Sequence, residues 1–518
     1  MLETRERVFF DEVDMTTKQE TVAELSKMPR TAVLPVVRDP STGYLNAAPY
    51  SAGVMSVEPY HIIFGVKSWD TKLVFQEVEE FVVAVPTRNQ LDHIWTMACA
   101  VPHGISEIEI AGWTELPSRM VQPPGISECP INLECRKVRT LALGRALRTI
   151  VIGEVVGVDV DRGLLRMDRA DACRLLPMHE AIQKHPYTNT YALSVLSGEV
   201  RNGWAPRSSD PEEAGTDGER LFVSHRERKS PKGSAAYLCS TFPMPTYIVT
   251  FLGQDGVWHG VPISGGLIMH TKPAVQIPLL KGSAVYECIK ARGEFVISIP
   301  VRAELGYLEQ LFDAPSTRLE DLGLVAAPSG SIKTPGIAQF PVNIECTVYL
   351  LEDIPGQNYA LLLGKKVGLN VDQATFQNCD HETLYSQYPY AVYDWGWVRK
   401  WAFHDPQLLP VKPLPTWGSR YNGGWWGGPE QWQTGMQFWL LELLMSNYLH
   451  EDEYHKIKRW VSWWRSEGYW APEGLRGELR ERLTSLLRMM VWAHRDFEKW
   501  QEIHQWLARF PYEGRWGC

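Results

Sequence analysis

The sequence predicts a mainly β protein with added α: two tandem copies of one β-rich domain forming an internal pseudo-dimer, then an α-helical C-terminal region. Three observations predict it. The phrase Gly125-Ile-Ser-Glu-Cys-Pro-Ile-Asn-Leu-Glu-Cys135 recurs as Gly336-Ile-Ala-Gln-Phe-Pro-Val-Asn-Ile-Glu-Cys346, with six positions identical and two exchanging one branched aliphatic residue for another. The copies stand 211 residues apart, far beyond a solenoid period, so what repeats is a whole domain. Short apolar runs rich in β-branched residues recur at matching places, as buried strands do. Finally, 16 of the 21 tryptophans fall between Trp395 and Trp516, which sets the last quarter of the chain apart.

The 518 residues exceed one core, and about three domains is the natural division. Hydrophobic and charged contents of 44% and 22% are those of an ordinary globular protein. A net charge of −9 with no basic run argues against nucleic acid as a partner. The charged start Met1-Leu-Glu-Thr-Arg-Glu-Arg7 shows no secretory signal, and no apolar run reaches membrane-spanning length. Nine cysteines without a Cys-x-x-Cys pair fit free thiols in a reducing compartment, so the cytoplasm is the expected location.

In chain order, residues 1–196 form the first domain. A short acidic leader and a helix near Lys18–Lys27 precede strands at Thr31–Val37, Ile62–Val66, Phe81–Val85 and Ile150–Val160, and a helical patch follows at Ala170–Lys184. Residues 197–234 turn rich in Gly, Ser, Pro and charge, and read as a linker. The second domain, 235–379, repeats the order with Thr246–Leu252, Phe295–Ile299 and Leu361–Val371. Landmarks keep their offset: Phe295 follows Phe81 by 214 residues, Pro262 follows Pro49 by 213 and Asn343 follows Asn132 by 211. Residues 380–518 form the C-terminal region. Tyr388–Gly428 is rich in Pro, Gly and aromatics and reads as irregular, and Pro429–Phe510 reads as several helices.

Chemistry concentrates in the first copy. After the turn at Asp39–Gly43 come Asn46-Ala-Ala-Pro-Tyr-Ser51, then Glu58-Pro59, then Ser68-Trp-Asp-Thr-Lys72 ahead of a helix and the Phe81 strand. This ordered set resembles the flavin reductase-like family of FMN-binding split β-barrels, the flavoredoxins among them. The resemblance covers roughly 30–160 well and 240–373 more loosely. It implies two tandem split barrels, with FMN at the interface of the pseudo-dimer. A phosphate dianion needs several N–H and O–H donors and a nearby cation, which Ser68, Thr71 and Lys72 supply at a helix start. By the same resemblance Asn46, Ala47, Tyr50 and Ser51 contact the isoalloxazine ring. The bland alternative is a hydroxyl-capped helix, with Thr71 as an ordinary cap and no ligand.

The second copy departs from the pattern. His259-Gly-Val-Pro-Ile-Ser264 stands where the first has Asn46, and Val285 stands at the place of Thr71. Ser283 and Lys281 lie nearby, but the expectation is one strong site, with the second barrel serving as dimer partner.

Elsewhere the signals favour structure. Cys129 and Cys135 read as core positions, since Phe340 and Cys346 match them. His450-Glu-Asp-Glu-Tyr-His455 gives at most two ligands on one helix face, so no metal site is expected. His93, His103 and His179 are proton donors or structural residues. Trp460, Trp463 and Trp464, at helical spacing, pack a core, wall a flavin pocket or face a partner protein. No Gly-x-Gly-x-x-Gly follows a strand, so any NAD(P)H has to stack over the flavin directly.

The resemblance therefore implies an FMN-dependent oxidoreductase: an NAD(P)H-linked flavin reductase, or a flavin-dependent reductase or oxidase of a small organic substrate. The partner is that substrate or free flavin, with a further homodimer left open. Two alternatives stay open: an electron-transfer flavoprotein acting between proteins, and a barrel protein that has lost its flavin.

Overall fold

The computed structural model describes residues 6–11, 30–40, 43–57, 60–66, 75–90, 93–94, 106–142, 149–166, 175–176, 178–179, 195–200, 219–225, 243–268, 275–313, 318–354, 356–377, 387–394 and 397–405, with single positions between. Most of the helix expected at Lys18–Lys27, and the tail beyond residue 405 with its histidines and tryptophan triplet, lie outside these residues.

A short strand, β1 (Arg7–Asp11), leads the chain. The first barrel is built from β2 (Arg30–Arg38), β3 (Leu45–Ala47), β4 (Tyr50–Val57), β5 (Tyr60–Val66) and β6 (Glu80–Val85). A small ribbon of β7 (Glu115–Leu116) and β8 (Gly125–Ile126) then leads into the long hairpin β9 (Ile131–Ala142) and β10 (Thr149–Asp161). The strands close into a ring in the order β2-β4-β5-β10-β9-β6 and back to β2, every pairing antiparallel. Closure gives each ring strand a partner on both sides and explains why β2 and β6 read as almost continuous apolar runs. Within the patch expected as helical at Ala170–Lys184, Leu175 is helical and β11 (Met178–His179) pairs with the start of β2; most of the rest of the patch lies outside the described residues.

Two strands arise in and beside the segment expected as a linker: β12 (Val195–Val200) and β13 (Arg220–Ser224). The second barrel repeats the first with β14 (Met244–Leu252), β15 (Trp258–Ser264), β16 (Leu267–Ile268), β17 (Val275–Leu280) and β18 (Glu294–Ile299). A ribbon of β19 (Ala326–Ala327) and β20 (Gly336–Ile337) precedes the long hairpin β21 (Val342–Asp353) and β22 (Tyr359–Asp372). Beyond it, β23 (Tyr390–Asp394) and β24 (Trp397–Asp405) form a hairpin where irregular chain is expected. The reason is an available edge: β23 pairs with the start of β14, and β24 takes β12 on its other side.

The repeated phrase is architecture in both copies. Asn132 accepts from the Ile126 N–H (2.8 Å) and donates to the Ile126 carbonyl (3.0 Å), clipping the β8 turn onto β9. Asn343 does the same to Ile337, at 2.9 and 3.0 Å. Gly125 and Gly336 are required because a Cβ there would lie 2.6 and 2.5 Å from those asparagine side chains. Glu134 accepts the N–H groups of Arg119 (2.9 Å) and Met120 (2.6 Å), and Glu345 those of Gly330 (2.8 Å) and Ser331 (2.7 Å). Each barrel also turns on a phenylalanine that fills a glycine gap. A Cβ on Gly153 would sit 2.3 Å from Phe81 Cζ, and one on Gly364 2.5 Å from Phe295 Cζ.

The barrels meet through an apolar seam of Ile63, Ile150 and Ile152 against Ile354, Leu361 and Leu363. Ile150 and Ile152 match Leu361 and Leu363 at the constant offset of 211, as an isologous contact requires. Arg139 of the first hairpin pairs with Glu352 of the second at its edge.

Candidate functional site

The segment carrying the expected ring contacts runs through β3 and into β4. Asn46 and Ala47 lie opposite Val37 and Val36 of β2, and both are buried. Tyr50 and Ser51 open β4 opposite Val33 and Ala32. Tyr50 is half-buried, and its ring lies 6.4 Å from that of Phe64. Ala48 is likewise half-buried, whereas Pro49 is buried. The segment is thus fixed from within and offers its outer edge at Ala48 and Tyr50. Ser68, Thr71 and Lys72 lie outside the described residues.

A residue that sequence reasoning missed holds this segment. Glu107 begins a five-residue helix, Glu107–Ala111, capped by Ser106 and ended by Gly112 in the left-handed conformation. Its side chain is buried at 4% exposure. One carboxyl oxygen accepts from the Ala47 N–H at 3.1 Å, and the other from Asn46 Nδ2 at 3.4 Å. A buried carboxyl group is costly unless hydrogen-bonded, so the contact fixes both the helix start and the β3 backbone. It also engages the N–H of Ala47, which is therefore not offered outward. The signal available in the sequence was copy difference: Arg318 stands at the matching place in copy two, 211 residues on.

In the second barrel the corresponding pair is His259 and Arg318, joined by an isolated backbone bridge. The His259 ring stacks on Phe251 at 5.7 Å, and the exposed Arg318 lies 3.8 Å from Glu320. A carboxamide and a carboxyl group are thus replaced by an imidazole and a guanidinium. The helix Ala284–Arg292 occupies the place of the expected phosphate helix. There Ser283 Oγ donates to the Leu280 carbonyl (2.6 Å) and accepts from the Tyr286 N–H (3.3 Å), as an ordinary cap does. Val285 is buried in the core, and Lys281 Nζ donates to the Ile354 carbonyl at 3.2 Å with Asp353 at 3.9 Å. Tyr286 donates to the same Asp353 at 3.0 Å. Ser283 is thus engaged as a cap, and Lys281 and Tyr286 both lie beside the Asp353 carboxylate, which disfavours a phosphate dianion at these residues.

Among the remaining candidates the described cysteines take structural places. Cys129 and Cys135 are fully buried, and burial pushes the Cys129 thiol up. Cys346 is pushed up to about 12 by the same desolvation. Such thiols are poor nucleophiles and poor metal ligands. Among the described residues no three His, Cys, Asp or Glu side chains come together as a metal site. His93 stacks on Trp113 at 5.2 Å, His179 lies in β11, and His103 is outside the described residues. No described helix is long and apolar enough to cross a membrane.

Two barrels with matching strand order, joined as a pseudo-dimer, define a tandem split-barrel protein. The Flavin reductase like domain family matches the chain twice, over residues 25–175 and 239–392, and the protein belongs to that family. At this level it is a flavin-linked oxidoreductase. An uncharacterized protein of Halalkalibacterium halodurans is 32% identical over 163 residues, which cover 28% of this chain and 78% of that one. Among solved structures, nitrilotriacetate monooxygenase component B from Bacillus cereus shares 28% identity, covering 27% of this chain and 76% of its own, with a TM-score of 0.26. The 2-nitrobenzoate 2-nitroreductase of Pseudomonas fluorescens shares 25%, covering 32% and 84%, with a TM-score of 0.28.

Proposed function

We propose that the protein is an FMN-dependent oxidoreductase with one flavin site, carried by the first barrel, and that it takes electrons from NAD(P)H for free flavin or a small organic substrate. The observation that carries this reading is where the two copies differ. Residues that hold the barrels are the same in both: Asn132 and Asn343, Glu134 and Glu345, Phe81 and Phe295. The positions assigned to the site or to its support change together, Asn46 to His259, Thr71 to Val285 and Glu107 to Arg318. Selection for folding alone gives no reason for that division.

In this reading Asn46, Tyr50 and Ser51 lie along one edge of the isoalloxazine, and Glu107 keeps Ala47 and the rest of β3 in place beneath it. Ser68, Thr71 and Lys72 hold the phosphate through two hydroxyls and a cation. The bound flavin supplies hydride chemistry; the chain binds it, orients it and limits access to its face.

The test is an optical titration of purified protein with FMN, followed by anaerobic NADH or NADPH. Binding of one FMN per chain and bleaching by either nucleotide is the expected result. A protein that binds no FMN refutes the site, two FMN per chain refute the single-site assignment, and binding without bleaching refutes the NAD(P)H link.

A further inference from the structure

The two leading strands change places. β1 precedes the first barrel in the chain, yet it pairs along β22 of the second, from Arg7 opposite Asp372 to Asp11 opposite Gly368. β13 precedes the second barrel, yet it pairs along β10 of the first, from Arg220 opposite Asp161 to Ser224 opposite Gly157. The strands are equivalent: Glu6-Arg-Val-Phe-Phe10 and Glu219-Arg-Leu-Phe-Val223 stand 213 residues apart, and their partners Asp372 and Asp161 differ by 211.

The side chains repeat the match. Arg7 Nη1 donates to the carbonyls of Phe340 (2.7 Å) and Ala338 (3.4 Å), and its Nε to Asn370 Oδ1 (2.5 Å). Arg220 Nη1 donates to the equivalent carbonyls of Cys129 (3.2 Å) and Ser127 (3.3 Å), and its Nε pairs with Asp159, the counterpart of Asn370. The backbone closes both junctions alike, Gln373 N–H to Glu6 carbonyl and Arg162 N–H to Glu219 carbonyl, each at 2.8 Å. Both strands bury apolar side chains in the barrel they visit: Phe10 packs on the second core, and Val223 belongs to the first. Leu25 and Met28 also sit in the second core.

We propose that each barrel carries a strand-accepting edge on its long hairpin whose partner is the leading strand of the other half-chain. The repeat unit therefore begins at Glu6 and Glu219, not at the barrels, and the two units are interlocked by reciprocal exchange. The recognition chemistry is an arginine reading two carbonyls of the repeated phrase, followed by alternating apolar residues along an open edge. One consequence concerns the half without the flavin pattern: it supplies the outermost strand of the half that has it. Loss of a ligand site in copy two therefore does not release that copy from selection.

The test uses the full chain with cysteine pairs at equivalent positions, Val8→Cys with Val371→Cys and Leu221→Cys with Val160→Cys. Mild oxidation followed by peptide mapping is expected to find 8 joined to 371 and 221 joined to 160 within monomeric chains. Disulfides between chains, or neither pair forming, overturns the proposal. A second measurement does not depend on core substitutions. With a protease site inserted between residues 205 and 215, the cut chain is expected to elute at the size of the uncut one. Adding Arg7→Ala and Arg220→Ala should speed separation of the halves at least tenfold. Halves that part at once after cutting, or a double variant that parts no faster, refute the interlock.

Discussion

Replacing Glu107 tests whether the β3 segment serves only the fold or also the flavin. In Glu107→Ala the Ala47 N–H loses its acceptor at 3.1 Å in a buried setting, while the 3.4 Å contact to Asn46 is long enough to add little. An orphaned buried backbone donor costs about 1–3 kcal/mol, so a loss of about 2 kcal/mol in stability follows. If the segment relaxes to recover that cost, FMN has to restore it on binding. Each 1.4 kcal/mol is tenfold in Kd, so the affinity should fall about 30-fold. Glu107→Gln keeps an acceptor for Ala47 and a partner for Asn46, and should bind FMN within about threefold of the parent, since the hydrogen bond rather than the charge sets the geometry. The assay is fluorescence titration of FMN alongside a thermal melt for all three proteins. An alanine variant that melts lower but binds FMN as tightly as the parent refutes the positioning role. A glutamine variant as weak as alanine refutes the hydrogen-bond argument in favour of charge.

Three further outcomes separate site from scaffold. Thr71→Val should weaken FMN retention strongly, whereas Ser283→Ala, which removes only a helix cap, should cost about 1 kcal/mol of stability and leave flavin binding untouched; equal effects on FMN would reverse the ranking of the two barrels. Asn132→Ala and Asn343→Ala each leave the backbone N–H of one isoleucine unpaired, while its carbonyl keeps the N–H of Cys129 or Phe340, so each should lower stability by about 2 kcal/mol in urea unfolding; a large loss in one and none in the other would deny them a shared role. Burial pushes the Glu134 carboxyl above its ordinary value, against the pull of the Arg119 and Met120 N–H groups, with Asp159 adding to the rise. The folded state then binds that proton more tightly than the unfolded chain. Its stabilisation is complete below the ordinary glutamate range and is lost as pH rises through the folded value. Urea midpoints of the parent should fall relative to Glu134→Gln between pH 4 and 7, and a constant difference across that range would contradict the shift.

Much of the scaffold was legible because its causes are local. Runs such as Phe81–Val85 and Ile150–Val160 are strands since nearly every side chain is buried, and their composition says so. The paired asparagines and glutamates were recognisable as architecture because both copies keep them. The β23–β24 hairpin was not legible, since its Pro, Gly and aromatic composition suits irregular chain equally well and the free edge of β14 is a tertiary fact. Nor was Glu107: 60 residues separate it from Ala47, and nothing in its own neighbourhood differs from a solvated helix start.

By itself, then, the sequence determined the duplication, the main strands of each copy and the copy that keeps the family's motif. These follow from residue identity, period and offset, which the chain carries wherever it folds. Only the tertiary structure decided which edge each leading strand occupies and which buried carboxyl group holds β3. An antiparallel edge offers the same N–H and C=O groups to any strand of suitable pattern. With two equivalent edges and two equivalent leaders in one chain, the choice rests on how the barrels face each other, and that geometry exists only after folding.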